Sequence, residues 1–239
     1  MYKFKIPPTE DLINQNPYYR RFKIVIGSPL WKFYLGWAYK KCVEDFIKLN
    51  FIPDFNKKDF TCLLCGVGNE VTADEFIKFV ITRNQQAKIK IIDLANEQTN
   101  AVSKLVEGKY SSFDIGIKQI NALDLSSFIP KNSITWIETD GFLEFFSKKA
   151  LNKLLDVWGI ILKKDGFITL REPASIGKVG RLIDFFRIWI AKKWLGVTIY
   201  NHTKLDLDKT FREHGFSFTS APTFIPTFTR YSLIKTGAE

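Results

Sequence analysis

The stretch LLCGVGNE, residues 63–70, brings an apolar run up to two glycines, Gly66 and Gly68, and closes on an acid, Glu70. Glycines at a strand end let the backbone take positive φ and approach a ligand closely. Asp93 ends the next apolar run, KIKIID, 27 residues past Gly66. A carboxylate at that place can accept both hydroxyls of a ribose, or can cap the helix that follows. A dinucleotide would require G-x-G-x-x-G and a helix N-terminus facing its pyrophosphate. Here position 71 is Val71, and Glu70, Asp74 and Glu75 would repel a pyrophosphate. The same acids suit a cationic ligand.

Further along, Asp140 lies just past a fourth apolar run, SITWIE. It can act as a base or position an acceptor, or simply cap the turn behind it. His202 and His214 are the only histidines. His202, just before a helix, is a second candidate base; His214 falls near a helix end, where a positive charge is favoured on structural grounds. Cys62 and Cys65 form a CxxC. Without a second cysteine pair it does not read as a zinc site, and within a strand it lacks the helix N-terminus a redox pair needs. Both read as buried structural cysteines, and no metal site is expected.

These residues need a scaffold that brings strand ends together. From residue 60 the pattern alternates. FTCLLC reads as a buried strand, EVTADEFIKFVITR as a helix, KIKIID as a strand and ANEQTNAVSKLVEG as a helix with a glycine near its stop. FDIGIKQI and SITWIE are the third and fourth strands. Residues 147–166, SKKALNKLLDVWGIILKKDG, have Ser147 as N-cap and a stripe of Leu151, Leu154, Leu155 and Trp158. DGFITLRE is a fifth strand, DLDKTFREHG a short helix, and FSFTSAPTF and RYSLIKT a closing hairpin. Alternation of this kind predicts a doubly wound, mostly parallel α/β sheet, Rossmann-like, with helices on both faces. Residues 1–57 read as an N-terminal helical cap packing on the core, and 58–239 as the Rossmann-like domain. A helical lid insertion spans 173–204.

Hydrophobic residues make up 46% of the 239, enough for a sizeable core and against general disorder. No apolar run of about 18 residues suggests a membrane span, and MYKFKIPPTEDL does not read as a signal peptide. Three cysteines fit a reducing, cytoplasmic setting. The net charge of +10 is concentrated. Residues 1–41 carry eight Lys/Arg against two acids, and residues 178–196 five against Asp184. Localised positive charge suits an anionic partner; the alternative is a solvated face.

At this point the sequence resembles the class I S-adenosylmethionine-dependent methyltransferases. LLCGVGNE is similar to their first motif, IIDLA with Asp93 to the second, and NALDL with Asp124 to the third. SITWIETDGFLEFF followed by LLDVWGIILKKDGFITLRE resembles the fourth strand, its loop, the next helix and the fifth strand. The resemblance covers residues 58–172 and the closing hairpin, and implies seven strands with one antiparallel. It implies S-adenosyl-L-methionine as cofactor, a ligand whose sulfonium and ammonium also suit the acids noted above. Implied cofactor contacts are Gly66, Val67, Gly68, Asp93, Leu94, Ala122, Leu123, Asp124 and Thr139. Leu64 stands where the family usually has an acid, and Glu70 replaces its third glycine. Glu70, or Tyr18 and Tyr19 from the N-terminal segment, then supply the missing contact. NPYY, residues 16–19, precedes the first strand, whereas the place after the fourth strand reads TDGF. Methylation of a nucleobase amino group is therefore disfavoured.

The resulting expectation is methyl transfer by in-line displacement to a small acceptor, apolar and lipid-like or aromatic. Its lid would be the segments GKVGRLIDFFRIWIAKKWLG and WKFYLGWAYKK, which mix apolar and basic residues. The first, as a helix, is too short to span a bilayer and suited to lie on an anionic one, giving peripheral membrane association. These segments can instead pack on each other or form a homodimer interface. Two other functions stay open: a nucleic-acid-associated methyltransferase holding phosphates with its basic stretches, and a degenerate cofactor fold serving as a binding scaffold.

Overall fold

A computed structural model of the chain describes residue 21 and residues 27–174 and 177–236, with the side chains of 178 and 179 excepted. Tyr18 and Tyr19 lie outside the described residues. The frame is a seven-stranded sheet in the order β3-β2-β1-β4-β5-β7-β6. Its strands are β1 (Thr61–Cys65), β2 (Lys88–Asp93), β3 (Ile115–Gln119), β4 (Ile134–Asp140), β5 (Leu162–Pro173), β6 (Phe216–Pro222) and β7 (Phe228–Lys235). The sheet is mixed rather than purely parallel. The pairs from β3 across to β5 are parallel, and β7 runs antiparallel to both β5 and β6.

Helices α1 (Pro29–Asp45), α2 (Glu70–Ile81) and α3 (Asn96–Lys109) cover one face; α4 (Lys148–Ile161) and α6 (Lys204–Glu213) cover the other. With both faces covered, β1 is buried along its whole length, as its unbroken apolar run requires. The Gly27-Ser28-Pro29 break is where α1 begins. Ser28 accepts the Trp31 N–H at 3.2 Å, and Pro29 has the φ a first helical turn needs. The Ser232 hydroxyl donates to the Cys42 carbonyl at 2.6 Å, and Arg230 pairs with Asp45 at 2.6 Å. These bonds fasten α1 to β7.

Ser147 caps α4, accepting the Ala150 N–H at 3.4 Å. The helix predicted over 147–166 stops at Ile161, however. Leu162 is already extended (ψ 134°), and the Asn132 and Ser133 N–H groups donate to the Ile160 and Ile161 carbonyls. Strand pairing thus takes over a helical pattern, and KKDG joins β5. Helix α5 (Gly177–Ile190) and a π turn, Ala191–Leu195, form the insertion. Among the described residues no helix is long and apolar enough to cross a membrane.

Candidate active site

Strand order reverses between β1 and β4, where ligands of open α/β sheets sit at the carboxyl ends. Gly66 leaves β1 at φ +75°, a conformation a side chain disfavours, and its N–H donates to the Ile92 carbonyl at 3.0 Å. This bond draws the turn toward the end of β2. There the Asp93 carboxylate accepts the Val67 N–H at 2.7 Å with one oxygen and the Ala95 N–H at 2.8 Å with the other. Asp93 therefore faces the turn that holds Gly66 and Gly68. The first residue before α3 is Ala95, which makes no side-chain cap, so Asp93 ties two loops together. Burial pushes its carboxyl up to about 6, against the backbone N–H groups of Val67, Ala95 and Leu94. Asn69 caps α2, accepting the Val71 and Thr72 N–H groups, and Glu70 opens that helix, where a negative charge is favoured.

The remaining expected contacts divide. Leu94 is half-buried beside Asp93, and its carbonyl accepts Gln119 Nε2 at 3.0 Å. Val67, Ala122 and Leu123 are buried. Asp124 is exposed and pairs with Lys153 of α4 at 3.6 Å. Thr139 differs from expectation. It is fully buried, and its hydroxyl donates to the Cys65 carbonyl at 2.8 Å, bracing β1 from behind. His202 is buried with Nε2 2.9 Å from the Phe146 carbonyl, and burial lowers its pKa. Because a carbonyl only accepts, Nε2 carries the proton of this bond and His202 fastens the loop after β4. His214 ends α6 with Nδ1 2.8 Å from the Thr210 carbonyl, and the three cysteines are buried and free.

Asp140 does belong to a chemical cluster. On the α1 face, Glu138 and Asp140 project from β4 on either side of Arg171 of β5. Arg171 is fully buried and hydrogen-bonds Glu138; its Nη2 is 3.5 Å from Asp140, and its guanidinium lies 4.9 Å from the centre of the Tyr39 ring. Burial works against the Arg171 charge, but Glu138 and Asp140 outweigh it and hold the proton firmly. Burial likewise pushes Glu138 up to about 7, opposed by Arg171 and by the Thr169 hydroxyl, and raises Asp140, opposed by Arg171. Neither Asp140 oxygen nor the Tyr39 hydroxyl has a hydrogen-bond partner. On the opposite face, Glu172 accepts the Phe142 and Leu143 N–H groups at 2.9 and 3.0 Å with one oxygen and leaves the other unpartnered. Phe142 in turn lays its ring over Gly66.

Glu138, Arg171, Glu172 and Phe142 were not singled out from sequence. A signal was present for the first three, because charges inside apolar strand runs must be paired or functional. Nothing in the sequence brings Phe142 to Gly66. Asn121 also escaped notice: it follows β3 beside Asp93 and accepts the Leu123 N–H at 3.0 Å.

Burial also sets a pH dependence. Glu172 is pushed up to about 8, Glu138 to about 7 and Asp93 to about 6, so the native state keeps protons that the unfolded chain has released. Stability from such groups is complete below their unfolded values and is lost as pH rises through the folded ones. The ligand-free protein should melt at steadily lower temperature from pH 5 to pH 8.5. Glu172→Gln keeps the acceptor for Phe142 and Leu143, and should raise the melting temperature at pH 8 while flattening the profile. Scanning fluorimetry decides; a profile that rises toward pH 8 would refute the assignment.

No family model matches the sequence, and no curated protein does either. Solved structures do match in fold. The mitomycin 7-O-methyltransferase MmcR superposes with a TM-score of 0.66 at 10% identity, over 95% of this chain and 60% of that one. The chain has the class I methyltransferase fold. The methyltransferase fold recurs in the CurJ carbon methyltransferase, with a TM-score of 0.63 at 14% identity over 91% of this chain and 58% of that one. It recurs in an O-methyltransferase family protein from Burkholderia thailandensis, with 0.59 at 12% identity over 91% and 64%. The chain thus spans about three fifths of each of these proteins. In methyltransferase-fold terms, Gly66, Asp93 and Asp140 stand at the carboxyl ends of β1, β2 and β4.

Proposed function

We propose that the chain is an S-adenosylmethionine-dependent methyltransferase acting on a small apolar acceptor, lipid-like or aromatic. The observation that carries this reading is the Asp93 carboxylate at the Gly66 turn. An ionised carboxylate has about four acceptor sites, and backbone N–H groups take two here. The Leu94 N–H also faces this carboxylate, and the acceptor capacity left over is offered to the ribose. When bound, S-adenosylmethionine supplies an electrophilic methyl carbon on a sulfonium.

The chain's own residues then have separable tasks. Asp93 grips the ribose, and Gly66 gives the turn the positive φ that carries the Val67 N–H to Asp93. Asp140, buried and held above its usual carboxylate range, takes the proton of an acceptor that begins protonated. Arg171 keeps Asp140 in place. An apolar acceptor is supported by the Phe142 and Phe146 rings, 4.9 Å apart next to Gly66, and by Trp37 and Tyr34 of α1 packed on Phe224. The matched structures named for O- and carbon methyl transfer are consistent with the reaction class.

The test is titration calorimetry with S-adenosylmethionine. Asp93→Ala removes two charge-assisted hydrogen bonds and should weaken binding by about 100-fold. Wild-type affinity should also fall as pH drops through about 6, where Asp93 takes its proton. Absence of wild-type binding would instead make the domain a scaffold.

A further inference from the structure

Helix α5 is turned inside out. Its inward face carries Gly180, Asp184 and Arg187, continued by Ala191 of the π turn. Asp184 is fully buried and pairs with Arg187 at 3.2 Å, and Arg187 also pairs with Glu144 in the loop after β4. Outward, Leu182, Ile183, Phe185, Phe186, Trp189 and Ile190 are 41–64% exposed. At 100° per residue these six cover an arc of about 160° along a helix of about 21 Å. A helix facing water alone has the opposite arrangement, and an apolar patch of this kind marks an interaction surface.

The charges around the patch choose its occupant. Arg181, Lys192 and Lys193 are exposed beside it, and Trp194 of the π turn is 46% exposed. Aromatic and aliphatic side chains flanked by cations suit the boundary between lipid headgroups and acyl chains, where long basic side chains reach the phosphates. A second copy of the chain, related by a twofold axis through this patch, would bring the same cations toward each other. A bilayer rich in anionic lipid meets both the apolar face and its charge. We infer that α5 docks this protein on an anionic membrane, lying in the interface without crossing it. The inference stands apart from the cofactor reading, since among the described residues the contacts of Asp93 and Gly66 come from other elements.

The experiment is sedimentation of the full chain with vesicles. Wild type should pellet with phosphatidylglycerol–phosphatidylcholine vesicles at 30:70 and remain largely in the supernatant with pure phosphatidylcholine. Phe185→Glu with Trp189→Glu should weaken binding at least about tenfold, and Arg181→Glu with Lys192→Glu and Lys193→Glu should abolish the anionic preference. All five side chains point outward, so melting temperature and S-adenosylmethionine affinity should stay as in wild type, which separates this result from a failure of the enzyme assignment. Three outcomes overturn the inference. Wild type binds neither vesicle; the Phe185/Trp189 variant binds as wild type does; or analytical ultracentrifugation finds a dimer, silent toward vesicles, that the same variant dissociates.

Discussion

Arg171→Leu is expected to destabilise the protein by about 3–5 kcal/mol, the usual effect of removing one partner from a buried ion pair. Arg171 is fully buried between Glu138, also fully buried, and Asp140. Without the guanidinium, two carboxylates share a dry space under α1, and the Thr169 hydroxyl is the only remaining hydrogen-bond donor to Glu138. The loss should therefore depend on pH. Near pH 5 the freed carboxyls take protons and the variant loses less; at pH 8 they must stay buried as anions, or protonate at a cost that grows with pH. Urea unfolding of wild type and variant at both values measures the difference. A second variant, Arg171→Met with Glu138→Leu and Asp140→Asn, should recover much of the stability because it leaves no orphaned charge. A loss below about 1 kcal/mol for Arg171→Leu at pH 8 would mean that the cluster is hydrated.

Gly66→Ala comes next in size. The backbone at Gly66 has φ +75°, which disfavours any side chain by about 1–2 kcal/mol. An added Cβ would also sit 2.8 Å from Cε2 of Phe142 and nearer still to Cδ2, and overpacking of this kind costs about 1–3 kcal/mol. The two effects arise separately, so a double-mutant cycle divides them. Phe142→Ala should rescue the steric part and leave the backbone part untouched. If the double variant gains nothing over Gly66→Ala, the ring yields freely and only the backbone resists.

Much of the scaffold was legible because the signals are local. The unbroken run TCLLC, the Ser147 cap and the stripe of α4 depend on neighbours within a few residues. Asp93 was legible for the same reason: it closes one strand just as the glycines close another. What stayed hidden depends on register. Glu138, Asp140 and Arg171 meet because β4 aligns Asp140 with Arg171, and no short window of sequence contains that alignment. The end of α4 was misread because KKDG continues a helical pattern while Leu162 pairs with Ile134. His202 has the residue type of a base, and its bond to the Phe146 carbonyl was not legible in sequence. The apolar residues of α5 were plain in sequence, whereas their outward direction follows from Asp184 and Arg187 finding Glu144 inside.

The loop 142–146 is held from two sides: Glu172 of β5 accepts the Phe142 and Leu143 N–H groups, and the insertion takes the rest. Arg187 holds Glu144, the Tyr200 N–H donates to the Glu144 carbonyl at 2.7 Å, and His202 holds Phe146. These three grips come from the insertion, and the loop's first residue is the ring resting on Gly66. The ring that lies on the glycine turn is thus fixed both by the sheet, through Glu172, and by the segment that carries the outer helix, so displacing it requires two separate supports to yield.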